Sequence, residues 1–204
     1  IENASYIKRI SNLPLDIHLM VENVKDAIDD FSAVEPNIIT FHYEVCKSKE
    51  EVYKNIRYIK ECNCKVGLAV KPETKITEVA KLMSENHIGC IPVCDNNNCI
   101  CGILTDRDIL LRTVACDKDC SQTTASDIMS TNLYTCKQDD DMTNAESKMA
   151  NNQIRRLPVC DENNHVIGIL TLGDLAQNEI QLGSQQVCNT IGDICSCNSN
   201  KNNS

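Results

Sequence analysis

The sequence predicts an α/β protein: a parallel βαβαβ segment over residues 1–70, followed by two βαββα repeats related by a pseudo-twofold axis. Three observations predict it. Residues 82–110 and 148–176 are two copies of one pattern at a constant offset of 66, with 14 of 29 aligned positions identical, and a repeat of that length is one supersecondary unit used twice. Residues 15–70 alternate strand-like and helical runs through short connections, which requires parallel strands and right-handed crossovers. The chain has no Trp and 3% aromatic residues, so its core must be aliphatic.

In the N-terminal segment, Leu15–Met20 reads as the first strand, after Leu13-Pro14. Val24–Val34 reads as a helix with Ala27, Ile28, Phe31 and Val34 on one face. Asn37–His42 is the second strand, Lys49–Cys62 a helix with Val52, Ile56 and Ile59 in phase, and Lys65–Val70 the third strand.

Each repeat opens with an apolar-periodic helix (Ile76, Val79, Ala80, Met83; then Met142, Ala145, Met149). A strand follows, Gly89–Cys94 or Arg156–Cys160, then a polar turn, Asp95-Asn96-Asn97-Asn98 or Asp161-Glu162-Asn163-Asn164. The next strand runs Cys99–Leu104 or His165–Leu170, and Thr-x-x-Asp (Thr105–Asp108, Thr171–Asp174) opens another helix. Neither copy can bury its apolar face alone, so the two pack into one core. Ser126-Asp127-Ile128-Met129 precedes the second copy and leads to a strand at Leu133-Tyr134-Thr135; the first copy has Glu61–Cys64 there and borrows its first strand from Ala69–Thr74. The resulting division is 1–70, repeat one 71–115, linker 116–126, repeat two 127–180, and a tail 181–204. Helical signal runs from Glu179 to Ile194, and the residues from Ser196 onward have the composition of disorder.

A net charge of −9, with no basic stripe, argues against a nucleic-acid partner. No apolar run reaches membrane-spanning length, and no leader peptide is visible in a chain that starts at Ile1. The 14 cysteines are too sparse for a disulfide scaffold and read as reduced thiols in a cytoplasmic protein. Cys90, Cys94, Cys101 and Cys160 fall on strands, where a thiol acts as a small hydrophobe. The pairs Cys62/Cys64, Cys99/Cys101 and Cys195/Cys197 each share a strand face but lack the paired C-x-x-C spacing of a zinc site.

The repeats resemble a tandem pair of CBS domains, a Bateman module, in I-P-V-x-D at 91–95, L-P-V-x-D at 157–161, G-I-L-T-x-x-D at 102–108 and 168–174, and Asp127-Ile128-Met129. The resemblance implies a regulatory homodimer that binds an adenosine-type ligand (AMP, ATP, S-adenosylmethionine or NADH) in the cleft between repeats. It nominates Thr105, Arg107, Asp108, Thr171, Asp174, Arg155, Arg156, Pro92 and Pro158. A helix start offers N–H groups to a phosphate, a carboxylate accepts ribose hydroxyls, and arginine suits phosphate. Thr-x-x-Asp at a helix start is equally a capping box, and the arginines equally pair with surface acids. The copies differ, with Asp106-Arg107-Asp108 against Leu172-Gly173-Asp174 and Gly89-Cys90 against Arg155-Arg156, so two inequivalent sites are expected.

Residues 13–23 (LPLDIHLMVEN), 38–44 (IITFHYE) and 65–72 (KVGLAVKP) resemble ribulose-phosphate 3-epimerase. That family is a (β/α)8 barrel of carbohydrate metabolism, and the match covers three central strands, making this a partial barrel segment. Epimerisation beside a carbonyl needs two acid–base groups on opposite faces and a metal. The family uses two aspartates, with the metal held by both and by two histidines. His18 matches one metal ligand and Met20 a pocket residue; the two aspartates and the other histidine have no counterpart here. A divalent metal is thus implied only for a complete barrel, and no catalysis is expected from this chain alone. His18 and His42 read as hydrogen-bonded pocket residues, with Asp16 placed to bond His18. Three strands cut from a barrel leave an uncovered apolar face, so the segment packs on the repeats, dimerises or stays loosely ordered. Three functions stand: an adenosyl-ligand regulatory module, a partial epimerase without a complete active site, and a dimerisation scaffold without ligand.

Overall fold

A computed structural model describes residues 1–10, 15–19, 21–137, 139–177 and 184–195. They form two compact units, Ile1–Leu133 with Asn163–Ile167, and Tyr134–Glu162 with Gly168–Ser204.

The first unit opens with helix α1 (Glu2–Ile10) and a parallel sheet in the order β1 (Asp16–Leu19), β2 (Ile38–His42), β3 (Lys65–Ala69). Helices α2 (Val24–Ser32) and α3 (Lys49–Glu61) are the crossovers. Each starts at a polar cap: the Asn23 side chain accepts from the Asp26 N–H, and Ser48 from the Glu51 N–H. Each buries one apolar stripe, Val24, Ala27 and Ile28, or Val52, Ile56 and Ile59. The left-handed residues Glu35 and Asn63 (φ 53° and 58°) turn the chain soon after each helix.

The first repeat follows as α4 (Ile76–Asn86), an antiparallel hairpin of β4 (Cys90–Cys94) and β5 (Ile100–Thr105), α5 (Asp106–Arg112) and the short α6 (Ala125–Ile128). Asp95 Oδ1 builds the hairpin turn by accepting from the Asn97 and Cys99 N–H groups. Asn98 closes it in the left-handed region, as Asn164 does in the second copy (φ 62° and 69°), a conformation that asparagine tolerates.

Val70 joins this repeat to the N-terminal sheet. It follows β3 and forms a single parallel bridge to Val93 of β4. Its N–H donates to the Pro92 carbonyl (3.2 Å), and its own carbonyl accepts from the Cys94 N–H (3.0 Å). In the second unit β6 (Cys136–Lys137) pairs in parallel with β7 (Arg156–Cys160), Cys136 standing opposite Val159. Both partners lie 66 residues beyond Val70 and Val93, so Val70 is the first strand of repeat one, borrowed as the junction predicted. The equivalent strand of repeat two is not Leu133-Tyr134-Thr135. It forms around Cys136, which is buried, whereas Tyr134 is exposed.

Helix α6, the expected lead-in to the second repeat, packs in the first unit. The Ala125 N–H donates to the Thr74 carbonyl and the Ser126 N–H to the Pro72 carbonyl (2.8 and 2.9 Å). Its counterpart lies 66 residues on, where Thr190, Asp193 and Ile194 repeat Thr124, Asp127 and Ile128. Ile128 is buried in the first core and Ile194 in the second.

One continuous core fills the first unit, from Leu19, Ile28, Ile39 and Phe41 through Ile59 and Val70 to Ile91, Leu104 and Ile128. The apolar face of the N-terminal sheet is therefore covered by the first repeat. The second unit contains β6, β7 and β8 (Val166–Thr171) in that order, with α7 (Met142–Asn152), α8 (Leu172–Gln177) and α9 (Ser184–Cys195). The residues 163–167 at the start of β8 count with the first unit. Cys136, Ala145, Met149, Leu157, Leu175 and Ile194 form its smaller core. Helix α9 falls in the span read as a tail and packs on α7 and α8; residues 196–204 lie outside the described residues.

The equivalent strand glycines Gly102 and Gly168 have different neighbours. A Cβ on Gly102 would overlap the Met129 side chain, whereas on Gly168 it would meet only Val159 at 3.9 Å. Gly102→Ala should therefore cost about 1–3 kcal/mol by overpacking, and Gly168→Ala should stay within about 0.5 kcal/mol. Urea midpoints of the two variants check this; equal losses would contradict the packing.

Candidate functional site

The two Thr-x-x-Asp motifs fold alike. At the start of α5, the Thr105 N–H and hydroxyl donate to Asp108 Oδ2 (2.9 and 2.6 Å), and Thr105 Oγ1 accepts from the Asp108 N–H (3.2 Å). At the start of α8, Thr171 and Asp174 repeat the pattern at 2.8, 2.6 and 3.2 Å. Both are capping boxes, each satisfying helix-start donors. The other oxygen of Asp108 lies 3.3 Å from the Arg112 guanidinium, which also donates to the Ile128 carbonyl (2.7 Å).

The remaining nominated residues sit close in sequence to these caps. Arg107 is exposed in the first turn of α5; Arg155 is exposed ahead of β7, and Arg156 is half-buried at its start. The Leu172 N–H donates to the Arg155 carbonyl (3.0 Å), which fixes Arg155 beside the start of α8. Pro92 and Pro158 are buried in β4 and β7. The Pro92 carbonyl receives Val70, and the Cys136 thiol points at the Pro158 carbonyl (3.9 Å). The prolines thus serve strand pairing and packing in each repeat.

A second polar cluster lies at the carboxyl ends of β1 and β2. His42 is 2% exposed. Its Nε2 is 3.1 Å from Asn98 Oδ1, and its Nδ1 faces Glu44 Oε2 at 3.7 Å. Glu44 Oε1 accepts from the Lys71 N–H (2.7 Å) and from the Thr74 hydroxyl. Burial opposes ionisation of Glu44, but His42, the Thr74 hydroxyl and the Lys71 N–H together outweigh it and hold its carboxyl below the usual range. His18 donates from Nδ1 to the Val166 carbonyl (3.1 Å). Burial lowers its pKa to about 4; the carbonyl opposes this shift, while His42 and His165 reinforce it. Asp16 does not reach His18. Its carboxylate accepts from the Thr40 hydroxyl (3.1 and 3.2 Å), and burial raises its pKa to about 7, partly offset by that bond. Thr40 stands beside Gly67, whose missing side chain leaves it room.

These donors do not fit the divalent metal that the barrel resemblance implies. His18 alone would suit a metal, since its Nδ1–H is donated to a carbonyl and its buried Nε2 has no hydrogen-bond partner, but among the described residues no group of three or more His, Cys, Asp or Glu is placed to complete a site. Met20 lies outside the described residues. The described cysteines are free thiols. Burial pushes Cys64, Cys101 and Cys136 above the ordinary thiol range and Cys160 to about 11, which disfavours the reactive thiolate form. No helix among the described residues is long and apolar enough to cross a membrane.

Comparison with known proteins matches both halves. The family model for CBS domain matches residues 125–179. The CBS domain-containing protein YhcV of Bacillus subtilis is 45% identical over 111 residues, covering 54% of this chain and 77% of that protein. The chain belongs to the CBS-domain family. A crystal structure of Hypoxic Response Protein I with two coordinated zinc ions matches with a TM-score of 0.50 and 30% identity, covering 54% of this chain and 89% of that one. The model for the ribulose-phosphate 3 epimerase family matches residues 1–92. The ribulose-phosphate 3-epimerase of Buchnera aphidicola is 37% identical over 73 residues, 36% of this chain and 31% of that enzyme.

The Thr–Asp contacts were legible because i, i+3 spacing at a helix start brings the two side chains together. The Glu44–His42–Asn98 cluster was not. Its one local signal is that His42 and Glu44 lie two apart, on one strand face.

The opposite shifts of Asp16 and His18 give a pH signature. Asp16 binds its proton more tightly folded (about 7) than unfolded (3.8), so its contribution to stability falls as pH rises between those values. His18 binds its proton less tightly folded (about 4) than unfolded (6.5), so its contribution rises with pH across that window. The two slopes oppose each other from about pH 4 to 6.5. Asp16→Asn should therefore lose stability on acidification more steeply than the parent. His18→Gln should instead lose stability as the pH rises towards 7. Urea unfolding of both variants across this range reads the slopes; parallel curves would contradict the assignment.

Proposed function

We propose that the chain is a regulatory CBS pair that takes an adenosine-type ligand, with its N-terminal segment serving as a structural extension of the first repeat. One observation carries this reading: in a member of this family, G-I-L-T-x-x-D folds twice into the same hairpin and capped helix, with a threonine hydroxyl and an aspartate carboxylate fixed side by side. A ligand that places ribose hydroxyls at the carboxylate and phosphate at the helix start suits that pair. The basic groups come from different elements, Arg107 from α5 in one copy and Arg155 and Arg156 from the approach to β7 in the other. The two sites therefore differ in phosphate affinity, and one ligand occupies them unequally. In this reading the protein works in the cytoplasm as a homodimer. Residues 1–92 carry the epimerase resemblance without its acid–base pair, and we read them as scaffold.

A dimerisation scaffold is the second reading. Both Asp108 oxygens are already engaged within the protein. Leu110, Leu111 and Val114 on and after α5 are 57%, 46% and 56% exposed, while Ala176 and Gln177 stand at the equivalents of the first two. A second copy would cover this face, and the aspartates would be caps alone.

Thermal melting of the full chain against AMP, ATP, S-adenosylmethionine and NADH separates the readings. A ligand at 100 times its dissociation constant should stabilise by about 2.7 kcal/mol, a shift of several degrees. Loss of a cap itself costs about 1 kcal/mol, so the quantity to compare is the ligand-induced shift. Asp108→Ala and Asp174→Ala should reduce that shift to different extents. Equal reduction would sink inequivalence, and a flat response from a folded dimer would favour the scaffold.

A further inference from the structure

We propose that His42 relays the position of the first repeat's hairpin turn to the loop that leads into α4, making the N-terminal sheet a receiver for movement of that hairpin. The relay is a chain of buried polar contacts. Asn98 closes the turn in the left-handed region and is 4% exposed. Its side-chain carbonyl lies 3.1 Å from His42 Nε2, and the far side of the imidazole faces Glu44. Glu44 holds the loop through the Lys71 N–H and the Thr74 hydroxyl. The Thr74 carbonyl in turn accepts from the Ala125 N–H, which seats α6.

Burial gives this chain its stiffness. His42 is 2% exposed and its Nδ1 has no hydrogen-bond partner, so the bond to Asn98 is the one its ring makes, and displacement of Asn98 removes it. The hairpin therefore shifts with the imidazole, whose Nδ1 stands 3.7 Å from Glu44, the group that holds the loop.

Residues 163–167, which belong to the first unit, reach the same place. His18 donates to the carbonyl of Val166, two residues after Asn164, and the His18 and His42 rings are 5.3 Å apart. Cys99 and His165, the same position in the two copies, pair across an antiparallel bridge. Asn98 and Val166 thus bond one pair of neighbouring imidazoles. The coupling holds whatever moves the hairpins, so it stands apart from the adenosine-ligand reading.

Hydrogen exchange on the full chain tests it. Asn98→Gly keeps the left-handed backbone and removes only the amide side chain. Exchange of the Lys71 N–H should accelerate by about tenfold, the loss of one buried hydrogen bond, although residue 98 does not touch it. Glu44→Gln is the reciprocal variant and should accelerate exchange across residues 97–99, because coupling runs equally in both directions. Amides of α2 set the global reference. Changes confined to the neighbourhood of each substitution, or a rise at Lys71 no larger than that of α2, would overturn the relay.

Discussion

Val70 belongs to two sheets at once, and the first unit depends on it. It prolongs the third parallel strand of the N-terminal segment, and it spends its N–H and carbonyl on β4. A parallel strand needs a long crossover to reach its neighbour, and α4 supplies one. To a barrel, β3 and α4 are one more βα step; to a CBS repeat, Val70 and α4 are its opening strand and helix. An amphipathic helix after a parallel strand satisfies both, so the epimerase match runs on to residue 92, past the point where the repeat has begun. No linker separates the two patterns because they share these residues.

This shared start decides what becomes of the barrel segment. In a (β/α)8 barrel, the carboxyl ends of the strands carry the active site. Here those ends carry His18, His42 and Val70, and all three are bonded to hairpins of the repeats, at Val166, Asn98 and Val93. Burial holds Asp16 toward its neutral form against Thr40 and His18 toward its neutral form against a carbonyl. The apolar face is buried by the first repeat in one core, so the segment cannot leave without exposing that core.

Much of this was legible in the residues. A constant offset of 66 located both hairpins, both turns and both caps, because turn chemistry and i, i+3 capping are local. The strands and helices of the N-terminal segment and of both hairpins fell within a residue or two of their predicted ends, whereas α1 was not foreseen and β6 formed beyond Leu133-Tyr134-Thr135. What could not be read was set by distant partners. Met129 over Gly102 and Ala125 on Thr74 draw α6 into the first unit, and nothing near residue 125 announces either contact. Asp16 turns to Thr40 because Gly67 stands on the next strand, a fact of register. The Thr–Asp pairs were predictable, but the engagement of Asp108 by Arg112 and the buried Glu44–His42–Asn98 cluster required the fold.

The outline of the repeat changes once the long-range contacts are known. Thr124, Asp127 and Ile128 recur as Thr190, Asp193 and Ile194, and each isoleucine is buried in the core of its own unit. The Asp-Ile segment therefore packs in the core of the first unit, although the CBS-domain match begins with it, at residue 125. The first strand of each copy is supplied by Val70 and by Cys136. The first copy needs only one strand from outside, and a single residue at the end of β3 is enough to supply it. The same economy explains the asymmetry of the copies. The first is buttressed by a three-stranded sheet and the second by α9, so identical motifs sit on different foundations, and Gly102 and Gly168 meet different neighbours at the same place in the fold.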